Sequence, residues 1–203
     1  MTNQDKNTEA LILDAARTVF TEKGLDGARM QEIADTAGIN KALLHYYYRS
    51  KEQLFEAVFR ESFNKFSPRI FEIMGSSIEI TEKIKLFISN YIDLIQENPH
   101  LPAFVLHELN RNPERISNLL PFTEQTISGL LSKLNGEFKS AGFIEITPQH
   151  LMINIIALCI FPVIGRPIVQ PILFGNDTDR YNEFIQQRKT EVTKFVLNAL
   201  EKK

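Results

Sequence analysis

Apolar residues recur in this chain at three- and four-residue spacing from end to end, and no stretch sustains an apolar–polar alternation. Such spacing winds one apolar stripe onto one face of a helix, whereas a half-buried strand needs a period of two. An all-α fold of about nine helices is therefore expected. In the first helix Ile12, Ala15, Ala16, Val19 and Phe20 share a face. Gly24 stands where a left-handed residue closes a helix, and Leu25 supplies the apolar contact that accompanies such a stop. A short second helix is expected over Met30–Thr36 and a third over Lys41–Tyr47, separated by a turn at Gly38 and capped by Asn40. Ser50 to Gln53 reads as a capping box that opens a long fourth helix. Leu54, Phe55, Val58, Phe59, Phe63 and Phe66 form its stripe; Pro68 kinks or ends it, and Gly75 ends it at the latest.

The remaining helices follow the same logic. A fifth runs from Thr81 to just before Pro99, and short helical pieces occupy Leu101–Leu109 and the stretch after Pro113. A seventh carries Ile127, Leu130, Leu131, Leu134 and Phe138. Thr147-Pro148 opens an eighth in the cap-then-proline arrangement, and its apolar character nearly all round predicts that both faces are covered. Pro162, Gly165, Pro167 and Pro171 predict a bend and an irregular connection to near Asp179, before a last helix striped by Tyr181, Phe184, Ile185, Val192, Phe195, Val196 and Leu200.

Composition narrows the functional classes. The 203 residues hold one cysteine, Cys159, which excludes an intramolecular disulfide and a cysteine-based zinc cluster and suits a reducing interior. The polar start of the chain lacks the apolar stretch of a signal peptide. The most apolar run, Leu151 to Gly165, is shorter than the roughly 20 residues a membrane span needs, and Asn154 and Pro162 interrupt it. A cytoplasmic protein with no membrane partner is expected. The net charge of −2 does not advertise nucleic acid, yet from Gly38 to Lys51 there are three basic residues (Lys41, Arg49, Lys51) and His45 with no acid. Cations gathered on one short segment are what phosphate neutralisation requires.

That segment has the form of a helix-turn-helix. Ala34, Ala37 and Gly38 let two short helices approach closely, and only Leu44 and Tyr48 of the second clearly need the core. Lys41, Ala42, His45 and Tyr46 are left to project, as a helix reading base edges in the major groove requires.

The stretch ILDAARTVFTEKGLDGARMQEIADTAGINKALLHYYYRSKEQLFEAVF resembles the DNA-binding region of the TetR family of transcriptional regulators. It matches in the Ala-Ala-x-x-x-Phe of the first helix, the Glu-Lys-Gly stop, the Ile-Ala-x-x-Ala-Gly-Ile turn and the Tyr-x-x-Ser-Lys-Glu-x-Leu entry to the fourth helix. The resemblance implies that Lys41 and His45 contact bases and that Tyr46 and Tyr47 contact phosphate or sugar, Tyr46 with a base in reach. It implies that Asn40 caps the recognition helix and touches a phosphate, and that Lys51, with the free amides opening the fourth helix, clamps a phosphate. Two departures bear on the operator sequence. Ala42-Leu43-Leu44-His45 lacks the family's usual Thr and replaces its Tyr by His. Arg29 stands near the usual Ser or Thr opening of the second helix, where it would exchange a cap for a phosphate contact.

For the body, the resemblance implies an N-terminal three-helix DNA-binding domain over residues 1–50 and a helical effector-binding and dimerisation domain over 51–203. A palindromic double-stranded operator calls for a homodimer, with the eighth and last helices paired against their twins and Ile153, Ile156, Ile160 and Val196 near the seam. A ligand pocket among helices four to eight would draw on Phe66, Tyr91, Phe104, His107, Glu108, Phe122 and Phe161, a largely aromatic set that fits an apolar or aromatic effector. The expected function is a repressor released from DNA by that small molecule, with no cofactor and no metal. An enzyme is not expected: there is no Gly-rich phosphate loop, Cys-His pair or nucleophile elbow, and the four histidines (His45, His100, His107, His150) lack metal-ligand spacing. A helical hydrophobe-binding module or a protein adaptor without DNA activity would share the body but gives no reason for the basic segment.

Overall fold

The computed structural model describes residues 3–99, 101–103, 105–106, 113–119 and 123–201. Among these the structure is helical without strands: α1 (Asn3–Gly27), α2 (Met30–Thr36), α3 (Lys41–Tyr47), α4 (Lys51–Gly75), α5 (Ile80–Glu97), α6 (Pro113–Leu119), α7 (Glu124–Ser140), α8 (Pro148–Ile164), α9 (Arg166–Phe174) and α10 (Thr178–Leu200). The chain forms two compact units, residues 1–65 with 98–120 and residues 66–97 with 121–203. They part within α4, beyond the Ser50 boundary at which that helix begins.

In the first unit the stripe of α1 (Ile12, Ala15, Ala16, Val19, Phe20) packs with Ile33 and Ala34 of α2, Leu44 of α3, Leu54, Phe55, Val58 and Phe59 of α4, and Leu119 of α6. Phe20 meets Phe55 edge to face at 4.9 Å between ring centres. Fully burying a side chain of this size stabilises the fold by about 1.5–3 kcal/mol. Gly24, at φ 66°, breaks α1 near its end, and Leu25 behind it is buried.

The second unit is centred on α5, whose Ile84, Ile88 and Ile92 meet Leu151, Ile155 and Cys159 of α8 and Tyr181, Ile185, Val192, Val196 and Leu200 of α10. A polar cluster closes the C-terminal end of α4. Lys83, wholly buried, donates to the Met74 carbonyl at 3.1 Å and to Glu137 Oε1 and Oε2 at 2.7 and 2.8 Å. Lys133 donates to the carbonyls of Gly75 and Ser76. Cations there answer both the unpaired carbonyls of a helix end and its partial negative charge.

Pro68 lies inside α4, which runs on to Gly75, the latest end expected for it: one N–H is missing from the ladder, and the lysines hold the helix end beyond it. The stretch after Pro162, expected to be irregular, contains α9. Pro167 occupies its first turn, where no N–H is needed, and Pro171 forfeits a single bond.

Two carbonyls near the proline of α8 are served by α10. Pro162 has no N–H for the Leu158 carbonyl four residues earlier, and Arg188 Nη2 donates to that carbonyl at 2.6 Å. The Tyr181 hydroxyl donates to the Pro162 carbonyl at 2.9 Å. Among the described residues, no helix is long and apolar enough to cross a membrane by itself.

Candidate nucleic-acid interface

α2 and α3 are joined by a turn whose hydrogen bonds fix the angle at which α3 leaves. The Ile39 amide donates to the Ala34 carbonyl at 3.0 Å and the Gly38 amide to Asp35 at 3.1 Å, with Gly38 at φ 68°. This paired closure requires the left-handed conformation that glycine adopts without strain. Asn40 Oδ1 then accepts from the Leu43 amide at 2.8 Å, so the cap assigned from sequence is formed.

Leu44 is the only residue of α3 classed as fully buried, and it ties the helix to the core. Lys41, Ala42, His45 and Tyr46 are exposed, Tyr46 at 81%. Since i and i+4 lie on one side of a helix, Lys41 and His45 form one row and Ala42 and Tyr46 an adjacent one. Arg29, at the cap of α2 without a side-chain cap bond, is exposed as well. Among the described residues, no carboxylate pairs with Lys41, Arg29 or Arg49. A basic face without internal counter-charge is available to an external polyanion.

The other assigned residues are held internally. Tyr47 donates toward Asp5 Oδ1 at 3.4 Å, and Tyr48 donates to Glu9 Oε1 at 3.0 Å. Burial, with the Glu9 carboxylate beside it, holds the Tyr48 phenol well above its ordinary value. Lys51 Nζ donates to the carbonyls of Asp26 and Ala28 at 3.3 and 3.1 Å, tying the start of α4 to the link between α1 and α2. Ser50 Oγ accepts from the Gln53 amide at 3.2 Å, as its capping-box pattern predicts. Arg49 was not singled out from sequence as a contact residue, although the acid-free run containing it is the signal that finds it. The α1 carboxylates that hold Tyr47 and Tyr48 left no such signal.

In the second unit Tyr91 is half-buried and stacks on Phe87 at 6.0 Å, its phenol raised by burial. Phe161, assigned to a pocket, is instead 63% exposed on α8. Phe104, His107, Glu108 and Phe122 lie outside the described residues, as does the side chain of Phe66. Of the seam residues, Ile153 is 61% exposed, and Ile156 and Ile160 are half-buried. Val196 is only 3% exposed within its own core, while its neighbour Phe195 is 64% exposed. The face of α10 carrying Tyr181, Ile185, Val192, Val196 and Leu200 is the one turned to α5 and α8. With Ile153 and Phe161 open, α8 is not covered on both faces within one chain. Among the described residues, no three of His, Cys, Asp and Glu converge as a metal site.

Residues 12–58 match the family model described as bacterial regulatory proteins, tetR family. The negative transcriptional regulator IcaR of the biofilm operon icaADBC, from Staphylococcus aureus, is 29% identical over 147 residues, 72% of this chain and 77% of that protein. The fatty acid metabolism regulator protein of Bacillus subtilis is 25% identical over 146 residues, 69% of this chain and 75% of that one. Among solved structures, the transcriptional regulator FadR from Bacillus subtilis in complex with stearoyl-CoA superposes with a TM-score of 0.65 at 19% identity, covering 95% of this chain and 99% of that one.

Proposed function

Since the chain belongs to the tetR family of bacterial regulatory proteins, we propose that it is a cytoplasmic homodimeric repressor that binds a palindromic operator through α3 and leaves it when a small apolar ligand binds the second unit. The observation that carries this reading is the outward face of α3: Lys41, Ala42, His45 and Tyr46 exposed around the single fully buried anchor Leu44. Lys41 and His45 contact base edges, and Tyr46 contacts a base or the sugar–phosphate chain. Arg29 contacts phosphate, as do the Asn40 cap and the Tyr47 hydroxyl at the margins of the helix. Lys51 clamps a phosphate with the amides that open α4, sharing its ammonium with the carbonyls it already holds.

Repression is supported by the negative regulator IcaR among the relatives, and an apolar ligand by the stearoyl-CoA held by the Bacillus subtilis structure. The exposed Ile153 and Phe161 of α8 and Phe195 of α10 support a homodimer formed through those helices. Two recognition helices then sit about 34 Å apart, one turn of B-DNA. Because α4 contributes residues to both units, it is the element through which a ligand preferring one conformation would alter DNA affinity.

The test is selection of bound sequences from a random duplex pool by the full chain. Enrichment of a palindrome whose affinity falls steeply with salt is expected. Failure to enrich any palindrome would overturn the reading.

A further inference from the structure

A cation taken out of water needs a counter-charge or full hydrogen bonding, so each partly buried cation has a partner to be found. Among the described residues, two arginines bury Nε with no acceptor, Arg17 and Arg188. Arg17 is otherwise served: its terminal nitrogens meet Asp14 at 2.9 Å and Glu61 at 2.8 Å. In the second unit, Lys83 has Glu137 and Lys189 has Asp93. Arg188 has no carboxylate among the described residues. Its Nη2 serves the Leu158 carbonyl, and its guanidinium carbon lies 5.8 Å from the centre of the Phe184 ring.

The Leu158 carbonyl needs one N–H, which a lysine would also supply. A planar fork of five donors exceeds that need, and the fork is the shape that fits an oxyanion with two parallel bonds. Cys159 does not neutralise it, because burial pushes the thiol up to about 12 and keeps it uncharged near neutral pH. Beside this half-buried cation lie Leu158 and Phe184, both half-buried apolar members of the same cluster. One unanswered charge beside aromatic and aliphatic surface is complementary to a molecule with an anionic head and an apolar chain.

We propose that the second unit binds an oxyanion-headed apolar molecule of the fatty-acid type, its head on the terminal guanidinium nitrogens of Arg188 and its chain against Phe184 and Leu158. This rests on the reading of the chain as a ligand-responsive regulator and names the class of ligand.

The experiment is calorimetric titration of the full chain, without DNA, with dodecanoate, dodecyl phosphate and dodecanol. At least one anion is expected to bind about tenfold or more tightly than the alcohol, and the tighter of the two identifies the head as carboxylate or phosphate. Arg188→Met should bring the anions to the affinity of the alcohol and leave the alcohol within about twofold of wild type. Equal affinity for anion and alcohol in the wild type overturns the proposal, as does no binding by either anion. Loss of anion and alcohol together in Arg188→Met assigns the arginine to support of α8 and overturns it too. Should Arg188→Met not fold, Arg188→Lys keeps the charge and the reach to Leu158 but loses the fork; its anion-over-alcohol ratio should fall several-fold, and an unchanged ratio overturns the assignment. Because no DNA is present, failure here leaves the operator selection untouched, and failure of that selection leaves this titration standing.

Discussion

Lys41 in the first unit and Lys83 in the second both sit near the start of a helix, and the chain treats them in opposite ways. Lys41 is exposed and no carboxylate of the described residues pairs with it, while Lys83 is wholly buried against Glu137 and the end of α4. A buried ammonium survives only when its hydrogen bonds are met inside the protein, so the charge of Lys83 is spent on architecture. An exposed one contributes little to folding and keeps its charge for whatever arrives. The contrast separates cations that build the molecule from cations that address a partner, which a net charge of −2 conceals.

Substitutions at the two sites should therefore differ in kind. The largest effect is expected from Lys83→Met, which leaves the Met74 carbonyl without its donor and Glu137 with only Lys133 at 3.9 Å, and should cost about 3 kcal/mol in urea unfolding. Adding Glu137→Met should recover part of that loss, and no recovery would mean that the lysine acts mainly through the helix end. His45→Ala should leave stability nearly unchanged while costing about 1–3 kcal/mol of discrimination at one operator position. Lys51→Ala should weaken binding to all duplexes about equally, and its two carbonyl bonds add a stability loss of about 1 kcal/mol that Lys41→Ala lacks. Asn40→Ala should cost about 1 kcal/mol through the lost cap, read as a lowered unfolding midpoint with the salt dependence of DNA binding unchanged.

The smallest effect concerns Cys159. Its folded thiol holds the proton over a range in which an unfolded thiol ionises, so its contribution is intact below the ordinary value of 9.0 and is lost as pH rises toward about 12. Wild type should lose stability relative to Cys159→Ala on passing from about pH 8 to about pH 10, by no more than roughly 1.4 kcal/mol per pH unit. Parallel curves would show that the thiol is not the group responsible.

The two units also differ in how far the sequence discloses them. In the first, each stripe residue from Ile12 to Phe59 has polar neighbours on the opposite face, so the helical period carries a phase and the buried set follows. The turn glycine and the Asn40 cap are legible because each residue type has a stereochemical reason to be there. In α8 nearly every side is apolar, so a period exists without a phase, and Phe161 cannot be placed inside or outside from sequence. In α10 the apolar stripe includes adjacent Phe195 and Val196, about 100° apart around the axis, and the core of the unit takes Val196. The proline-rich stretch before Asp179 reads as irregular when prolines are counted and as helical when their positions in the first turn are considered. Neither the carbonyl bonds of Lys51 nor the missing counter-charge of Arg188 has a sequence signature, because both depend on segments brought together only by folding.

The proline of α8 bears on the order in which the second unit is assembled. Tyr181, which serves the Pro162 carbonyl, lies 19 residues beyond it, and Arg188, which serves the Leu158 carbonyl, lies 30 residues beyond that one. The second half of α8 is thus a fragment whose backbone is completed by a later one, and a ribosome releases the debtor before the creditor. Amide exchange in α8 beyond Leu158 should accordingly gain full protection only together with α10 and not with α5, so that a chain ending before Thr178 leaves this end of α8 open to solvent.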